Sequence, residues 1–477
     1  MTDAWNRVEP RILKGFQDLL PEEVLARREV IARIEAVFQR YGFSPIETPA
    51  LEYLDVLLGT GGEETNKELF RLKSPEQEDI ALRFDLTVPF ARALAQYPER
   101  LKPPFRRYAM GPVWRADKPG PGRFRQFTQF DIDAAGSESI FVDAEIIAAM
   151  TEIMRDVRVD SFCALVNNRK LIDALLEGCG IHDAAKQKHV LRVIDKLQKV
   201  GVDNVRRELG PGRIDDSGDP IPGVKLDDAI IDAILKFVAI DGATRVEVVE
   251  HCATALPASD FTAMAIEEMH ALASGLDALG VAEEHARFTP SLARGLDYYT
   301  GPVFEMTLPA APQFGSVMGG GRYDGLVSRF TDRSVPSCGM AVGLDRLVAA
   351  LKHLGALPAH ATTTQALVIT MGNAPKQEAL RAATELRKAG LAAEVYFGQK
   401  AGLRHQLAHA DHYQIPVAVI LGEDEIANGV VSLKDLLAGK QSREGIADRD
   451  AYRQAGKSGQ VTVAREEMIK TIKEILG

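Results

Sequence analysis

The chain has 477 residues, 46% apolar and 26% charged, with a formal net charge of −10. That is the make-up of a soluble globular protein of two or three domains, and it argues against a nonspecific nucleic-acid coat protein. The opening MTDAWNRVEP has no basic-then-apolar signal pattern, and no apolar run reaches the roughly 18 residues of a spanning helix. A chain without export or membrane segments is therefore expected, in the cytoplasm. The four cysteines, Cys163, Cys179, Cys252 and Cys338, form no Cys-x-x-Cys pair. They fit a reducing compartment rather than a disulfide framework or a zinc knuckle.

In chain order, a helix is predicted from Pro21 to Tyr41. Pro21 suits a first turn, Val30, Ile34, Val37 and Phe38 recur at helical spacing, and Gly42 can cap. FSPIETPALEYLDVLL reads as a strand entered and left through Pro45 and Pro49. DIALRFDLTVPFARALA reads as a strand turning into a helix near Thr87, with Asp85 and Thr87 at the turn. Either residue could serve as a helix cap or hold a substrate ammonium.

The stretch Phe105 to Asp133 alternates as two strands around a Gly/Pro-rich loop, an antiparallel hairpin. Between Lys102 and Arg125 the cations Lys102, Arg106, Arg107, Arg115, Lys118, Arg123 and Arg125 stand against one acid, Asp117. In an acidic chain that inversion of sign suggests a polyanion site. Arg125, Phe127, Gln129, Asp131 and Asp133 share one parity, hence one face. A strand face so polar usually lines a cleft.

An amphipathic helix near Val142 to Val157 and a strand FCALVN follow. From 170 to 284 helical patterns dominate, at 185–200, 226–240 and 261–279, broken by the turn-rich GPGRIDDSGDPIPG. We read this as an insertion. Strands and glycines return in RGLDYYTGPVFE, GGGRYDG and GMAVGLDR. After the linker ALPAHATTTQ, strands ALVIT, AEVYF, PVAVIL and GVVSLKDL alternate with helices, predicting a small α/β domain with a mainly parallel sheet. His405, His409 and His412 recur on one helical face; without accompanying Cys or Glu ligands they read as a solvated surface rather than zinc ligands.

Trp114-Arg115, Asp117 and Arg123-x-x-x-Phe127 resemble motif 2 of class II aminoacyl-tRNA synthetases. Attack of a carboxylate on the α-phosphate of ATP crowds negative charge, which fixed guanidiniums can meet. The helix–strand–proline run before it is similar to motif 1, and GMAVGLDR to motif 3. RGLDYYTGPVFE and GGGRYDG resemble the signature peptides of histidyl-tRNA synthetases.

The resemblance implies an α+β class II catalytic domain, an antiparallel sheet flanked by helices, in residues 1–169 and 285–357. It also implies a helical insertion at 170–284 and a C-terminal α/β anticodon-binding domain at 365–477. ATP with magnesium as a substrate complex, no tightly bound cofactor or resident metal, L-histidine, histidine tRNA and a homodimer through motif 1 come with the family.

Carried over residue by residue, Asp85 and Thr87 would meet the substrate ammonium, with Leu86 between them in the histidine site, and Arg115 the α-phosphate or carboxylate. Asp117 belongs to the ATP site, Arg123 to the γ-phosphate, and Phe127 and Arg346 to the two faces of adenine. Gln129 would contact histidine, Asp133 with Tyr298 or Tyr299 its ring, and Arg294 the reacting carboxylate and phosphate. Arg115 and Arg294 would be catalytic.

Asp85, Asp117 and Asp133 are aspartates where many bacterial members have glutamate. The loop KPGPG also departs from the bacterial pattern beside the tRNA end, where histidine tRNAs commonly carry an extra 5′ guanosine. The runner-up is a catalytically idle, synthetase-like regulatory subunit of histidine biosynthesis. The C-terminal block and the retained Arg115, Arg123, Arg294 and Arg346 speak against it.

Overall fold

The hairpin of two ten-residue strands sets the architecture. A computed structural model describes residues 8–59, 66–120, 122–215, 218–293, 299–357, 362–399, 402–441 and 459–477. The chain divides into two compact units, Met1–Asp18 with Val30–Leu357, and Leu19–Glu29 with Pro358–Gly477.

In the first unit the strands are β1 (Ser44–Pro45), β2 (Leu51–Tyr53), β3 (Arg71–Lys73), β4 (Asp79–Leu82), β5 (Phe105–Trp114), β6 (Gln126–Ala135) and β7 (Cys163–Asn168). They continue with β8 (Gly212–Ile214), β9 (Pro220–Pro222), β10 (Ala286–Phe288), β11 (Pro302–Thr307), β12 (Ser316–Arg322) and β13 (Ser337–Gly343). Eight of them form one sheet in the order β1-β5-β6-β13-β12-β11-β7-β10. Every pair in it is antiparallel except β1 with β5 and β7 with β10, which are parallel. The expected antiparallel sheet is thus mixed at its two edges.

Alternation gives this sheet two unlike faces. Tyr108, Phe130, Ile132, Met340 and Val342 point one way, into a buried cluster with Val30, Ile34 and Phe38 of the helix Pro21–Arg40 and Ile146, Ile147 and Met150 of the helix Phe141–Asp156. Phe38 meets Phe130 edge-on, with ring centroids 4.8 Å apart. The opposite face carries the polar residues of β6, and it is the one left for a ligand.

Several elements depart from the sequence expectation. The run from Phe43 is broken: β1 pairs with β5, β2 joins a separate three-stranded sheet in the order β2-β4-β3, and Leu54–Leu57 is helical. Pro45 and Pro49 lack the N–H groups that one continuous paired strand needs. In the insertion, helices Arg169–Gly178, Val202–Leu209 and Arg245–Ala255 join the expected ones, and the turn-rich stretch folds as the small β8–β9 ribbon. The insertion leaves the sheet after β7 and re-enters at β10, whose pairing partner is β7. Its buried side chains, such as Val190, Phe237 and Leu272, belong to the same apolar cluster as the sheet.

In the second unit β14 (Ala366–Thr370), β15 (Ala393–Val395), β16 (Val417–Leu421), β17 (Val430–Asp435) and β18 (Gln460–Ala464) order as β15-β14-β16-β17-β18. Here the expectation of a mainly parallel sheet is corrected. Two pairings are parallel and two antiparallel. The link from β16 to β17 holds only the five-residue helix Glu423–Ala427, too short for a parallel crossover of a dozen residues. His409 lies 3.0 Å from Glu394 and packs on Tyr396 and Tyr413, while His405 and His412 are exposed.

Candidate active site

The polar face of β6 floors a cleft of about 660 Å³. Small residues flank the floor. Ala109 and Gly111 on β5, and Gly339, Ala341 and Gly343 on β13, stand beside Asp133, Asp131 and Gln129 in register. At Gly339 the absent side chain is required, since a Cβ would come within 2.1 Å of Asp133 Oδ1. Of the expected glycine run, Gly319 lines the cleft, whereas a Cβ on Gly320 would strike β13 backbone and Phe304.

The structure gathers most of the expected residues here. Asp85, Thr87, Arg115, Asp117, Arg123, Phe127, Gln129, Asp133, Tyr299 and Arg346 all line the cleft. Leu86 does not. Its side chain is buried below with Ala109 and Val113, and its carbonyl accepts from Arg107 and from the Phe90 N–H. Arg294 and Tyr298 lie outside the described residues.

Arg115 follows β5 directly. Its Nε donates to the Phe84 carbonyl at 3.0 Å, and its guanidinium carbon stands 5.2 Å from the Phe127 ring centroid. One bond and the Phe127 ring thus hold a cation that lines the cleft. Arg346, in the first turn of the helix Leu344–His353, donates to the Ser316 carbonyl at 2.8 Å. Its neighbour Asp345 accepts the Thr128 backbone N–H at 2.6 Å, tying that helix to β6. Across the hairpin mouth, Arg123 Nε donates to Asp117 Oδ2 at 2.8 Å.

The other end of the cleft is built of acceptors. Asp85 is buried, and its Oδ1 accepts the Val88 N–H at 3.0 Å. Burial raises its pKa, with the Val88 bond, Arg115 and Arg107 acting against the rise. Gln129 Oε1 is buried without a hydrogen-bond partner among the described residues. Asp133 is buried too, and burial raises its pKa against the pull of Arg107 and Tyr323. An ammonium and a ring N–H are the donors such a set can take.

Sequence reasoning passed over Tyr323, Glu68 and Asp195, and counted Arg107 only among the cations of a polyanion site, whereas it is paired with an acid. Arg107 is the cross-strand neighbour of Asp133, with side chains 2.5 Å apart, and shared register was the signal. Tyr323, inside GGGRYDG, donates its hydroxyl to Asp133. Glu68 lines the cleft beside Asp117; burial and then that carboxylate push its pKa up to about 7. Asp195, ending a helix of the insertion, reaches the cleft with no signal in its sequence.

Residues 15–347 match the family model for histidyl-tRNA synthetase, and residues 365–475 that for an anticodon-binding domain. The chain belongs to the histidyl-tRNA synthetase family. It is 41% identical to the histidine–tRNA ligase of Caulobacter vibrioides, over 99% of this chain and 97% of the relative. It is 40% identical to that of Paracoccus denitrificans, over 97% of each. The crystal structure of histidyl-tRNA synthetase from Nostoc sp. PCC 7120 superposes with a TM-score of 0.80 at 32% identity, covering 98% of this chain and 100% of that one. A Bacillus halodurans structure titled as an ATP phosphoribosyltransferase regulatory subunit/histidyl-tRNA synthetase shares the fold, with a TM-score of 0.69 at 22% identity.

Proposed function

We propose that the protein is a histidine–tRNA ligase. It activates L-histidine with ATP to histidyl-adenylate and passes the histidyl group to the 3′ end of histidine tRNA. The carrying observation is the pairing of a cation end (Arg115, Arg123, Arg346) with an acceptor end (Asp85, Gln129, Asp133) in one cleft. The first end suits a triphosphate and an adenine, the second an amino acid with a donor-bearing ring.

In this reading Asp85, Thr87 and Gln129 take the ammonium, and Asp133 and Tyr299 the imidazole. Arg115, with Arg294, meets the negative charge that builds as the histidine carboxylate attacks the α-phosphate and pyrophosphate leaves. Phe127 and Arg346 sandwich the adenine, Arg123 meets the γ-phosphate, and Asp117 holds Arg123. Magnesium enters with ATP on its phosphate oxygens.

The regulatory-subunit alternative is not favoured. Relatives near 40% identity over the full chain are histidine–tRNA ligases, and the anticodon-binding match is present. Residues 1–169 with 285–357 form the catalytic domain of this reading, 170–284 the insertion and 365–477 the anticodon-binding domain. It acts as a cytoplasmic homodimer.

ATP–pyrophosphate exchange with each of the twenty amino acids, followed by charging of a histidine tRNA transcript, tests the reading. Exchange dependent on histidine is expected, and its absence for every amino acid would favour the regulatory subunit.

A further inference from the structure

The floor of the cleft holds more charge than this reading uses. Arg107 sits on β5 directly opposite Asp133, and its side chain is fully buried. The guanidinium carbon lies 4.7 Å from the Phe90 ring centroid, and Nη2 donates to the Leu86 carbonyl at 3.1 Å. From that fixed seat Nη2 stands 2.5 Å from Asp133 Oδ2. The other carboxylate oxygen, Oδ1, accepts the Tyr323 hydroxyl over Gly339. Asp133 is therefore held from two sides, by Arg107 of β5 and by Tyr323 just after β12.

Two residues earlier on β6, Asp131 faces the same way and is equally buried. Neither of its oxygens has a hydrogen-bond partner among the described residues. Arg107 is seated against Asp133, while Asp131 feels Arg107, Arg115 and Arg83 only at a distance. A buried carboxyl with no partner keeps its proton, whereas one against a guanidinium gives it up. Burial raises both acids, Asp131 furthest, and Arg107 opposes the rise in each.

The distinction matters to an imidazole. An ionised carboxylate only accepts, so it fixes a ring N–H towards itself; a protonated one can also donate, to the bare ring nitrogen. Around Asp133 the titratable groups are Arg107 on β5, Asp131 on its own strand, Asp85 ahead of the helix Thr87–Gln96, Tyr323 after β12 and Cys338 on β13. Arg107 is the cation among them.

We propose that Arg107 is a positioning residue for histidine selection, its guanidinium keeping Asp133 a fixed, ionised acceptor for a ring N–H of the substrate. This rests on the reading that Asp133 meets the imidazole. Arg107 touches neither substrate nor nucleotide and acts through Asp133.

The test is histidine-dependent pyrophosphate exchange from about pH 6.5 to about pH 9 in the wild type and in Arg107→Met, Arg107→Lys and Asp133→Asn. Without the cation Asp133 ionises late, so Arg107→Met should raise the histidine KM about thirtyfold at the acid end and recover most of it at the alkaline end. The ATP KM should stay within about twofold, because interactions far from the lost group are largely independent. Arg107→Lys, which restores the charge, should keep the wild-type pH profile.

A loss in Arg107→Met that is the same at every pH overturns the proposal. So does an Arg107→Lys protein that loses histidine use at all pH values, which decides the matter even where the Met variant does not fold. Asp133→Asn reads the underlying assignment separately. An unchanged histidine KM there removes Asp133 from the site, whereas a raised one with a flat Arg107→Met profile removes only the role of Arg107.

Discussion

Asp85 Oδ1 accepts the backbone N–H of Val88 at 3.0 Å, so the carboxylate that faces the cleft also caps the helix behind it. Of the two uses of Asp85 open in the sequence, the cap is realised, and the same carboxylate lines the cleft to which the ammonium is assigned. Asp85→Asn keeps an oxygen for the cap and removes the charge. It should melt within a few degrees of the wild type while the histidine KM rises at least about tenfold, the loss of a charge-assisted contact. Asp85→Ala should also lose the cap, about 1 kcal/mol, and so roughly 2–4 °C of melting temperature. Calorimetry with exchange kinetics separates the two effects; an unchanged histidine KM in the Asn variant would leave Asp85 a cap alone.

Arg115 is anchored by one bond to Phe84 and stands against Phe127, so its charge is preorganised where the α-phosphate is assigned. Losing one such donor costs about 3–4 kcal/mol of transition-state stabilisation. Arg115→Ala and Arg294→Ala should each lower adenylate formation by hundreds-fold or more and leave the fold intact. Pyrophosphate exchange within threefold of wild type in a folded variant, about 0.65 kcal/mol, would remove that arginine from the chemistry.

Glu68 and Asp117 line the same cleft, at the end proposed for the nucleotide. Burial, the hydrogen bond to Asp117 and its charge push Glu68 up to about 7. Asp117 is held down despite its burial by the bonds from Glu68 and Arg123. Below pH 7 the pair thus carries one negative charge and above it two, and the second opposes an incoming triphosphate. The ATP KM should rise from about pH 6 to about pH 8, and Glu68→Gln should flatten that rise. For stability, the folded value lies above the ordinary 4.5. The contribution of Glu68 is therefore full below that value and is lost as pH climbs through about 7. A KM slope identical in Glu68→Gln and wild type would assign the pH dependence to ATP itself.

The parity of β6 was legible because a hairpin in register has no freedom once its alternation is fixed. Phe127, Gln129 and Asp133 fall on the cleft as that parity requires. Asp131 shares the parity but does not line the cleft. Which residues of one face reach a cleft depends on the flanking strands, which sequence does not give. Tyr323 and Arg107 were in quoted motifs, yet their contact with Asp133 joins β5, β6 and the end of β12 across long stretches of chain. Asp195 arrives from the insertion by packing alone. The β17–β18 pairing was missed for a local reason, since β18 is mostly exposed and reads as the lead into the last helix.

Motif 1 leaves an apolar groove uncovered in the single chain. Pro45, Pro49, Tyr97 and Phe330 line it, and Leu51, Tyr53 and Tyr97 are exposed there. Two-fold pairs are the commonest oligomers, and this patch has the aromatic and proline character of an interface core. Light scattering on dilute protein should return twice the 52.0 kDa chain mass. Tyr53→Glu should shift the population towards single chains. A mass near 52.0 kDa throughout the dilution series would count against the dimer.

The loop from Lys118 to Arg123 should read the acceptor end of the tRNA weakly. Gly120 and Arg123 close on each other through backbone bonds of 3.1 and 2.9 Å, making a tight tip. At its base Arg125 N–H donates to the Gly15 carbonyl at 2.7 Å, and Gly15 packs so closely on Arg125 and Pro119 that a Cβ there would lie 2.9 Å from both. Arg123 is already engaged with Asp117. The glycines offer no side chain to a base edge and the prolines no N–H, which leaves Lys118, a point charge that suits phosphate. Dependence on the extra 5′ guanosine should therefore fall below the roughly 1–3 kcal/mol of a good base contact. Aminoacylation of two transcripts differing only in that nucleotide measures it. Rates within about tenfold are expected from so small a difference, and a preference of about a hundredfold for the longer transcript would mean that a base-reading contact exists at this end after all.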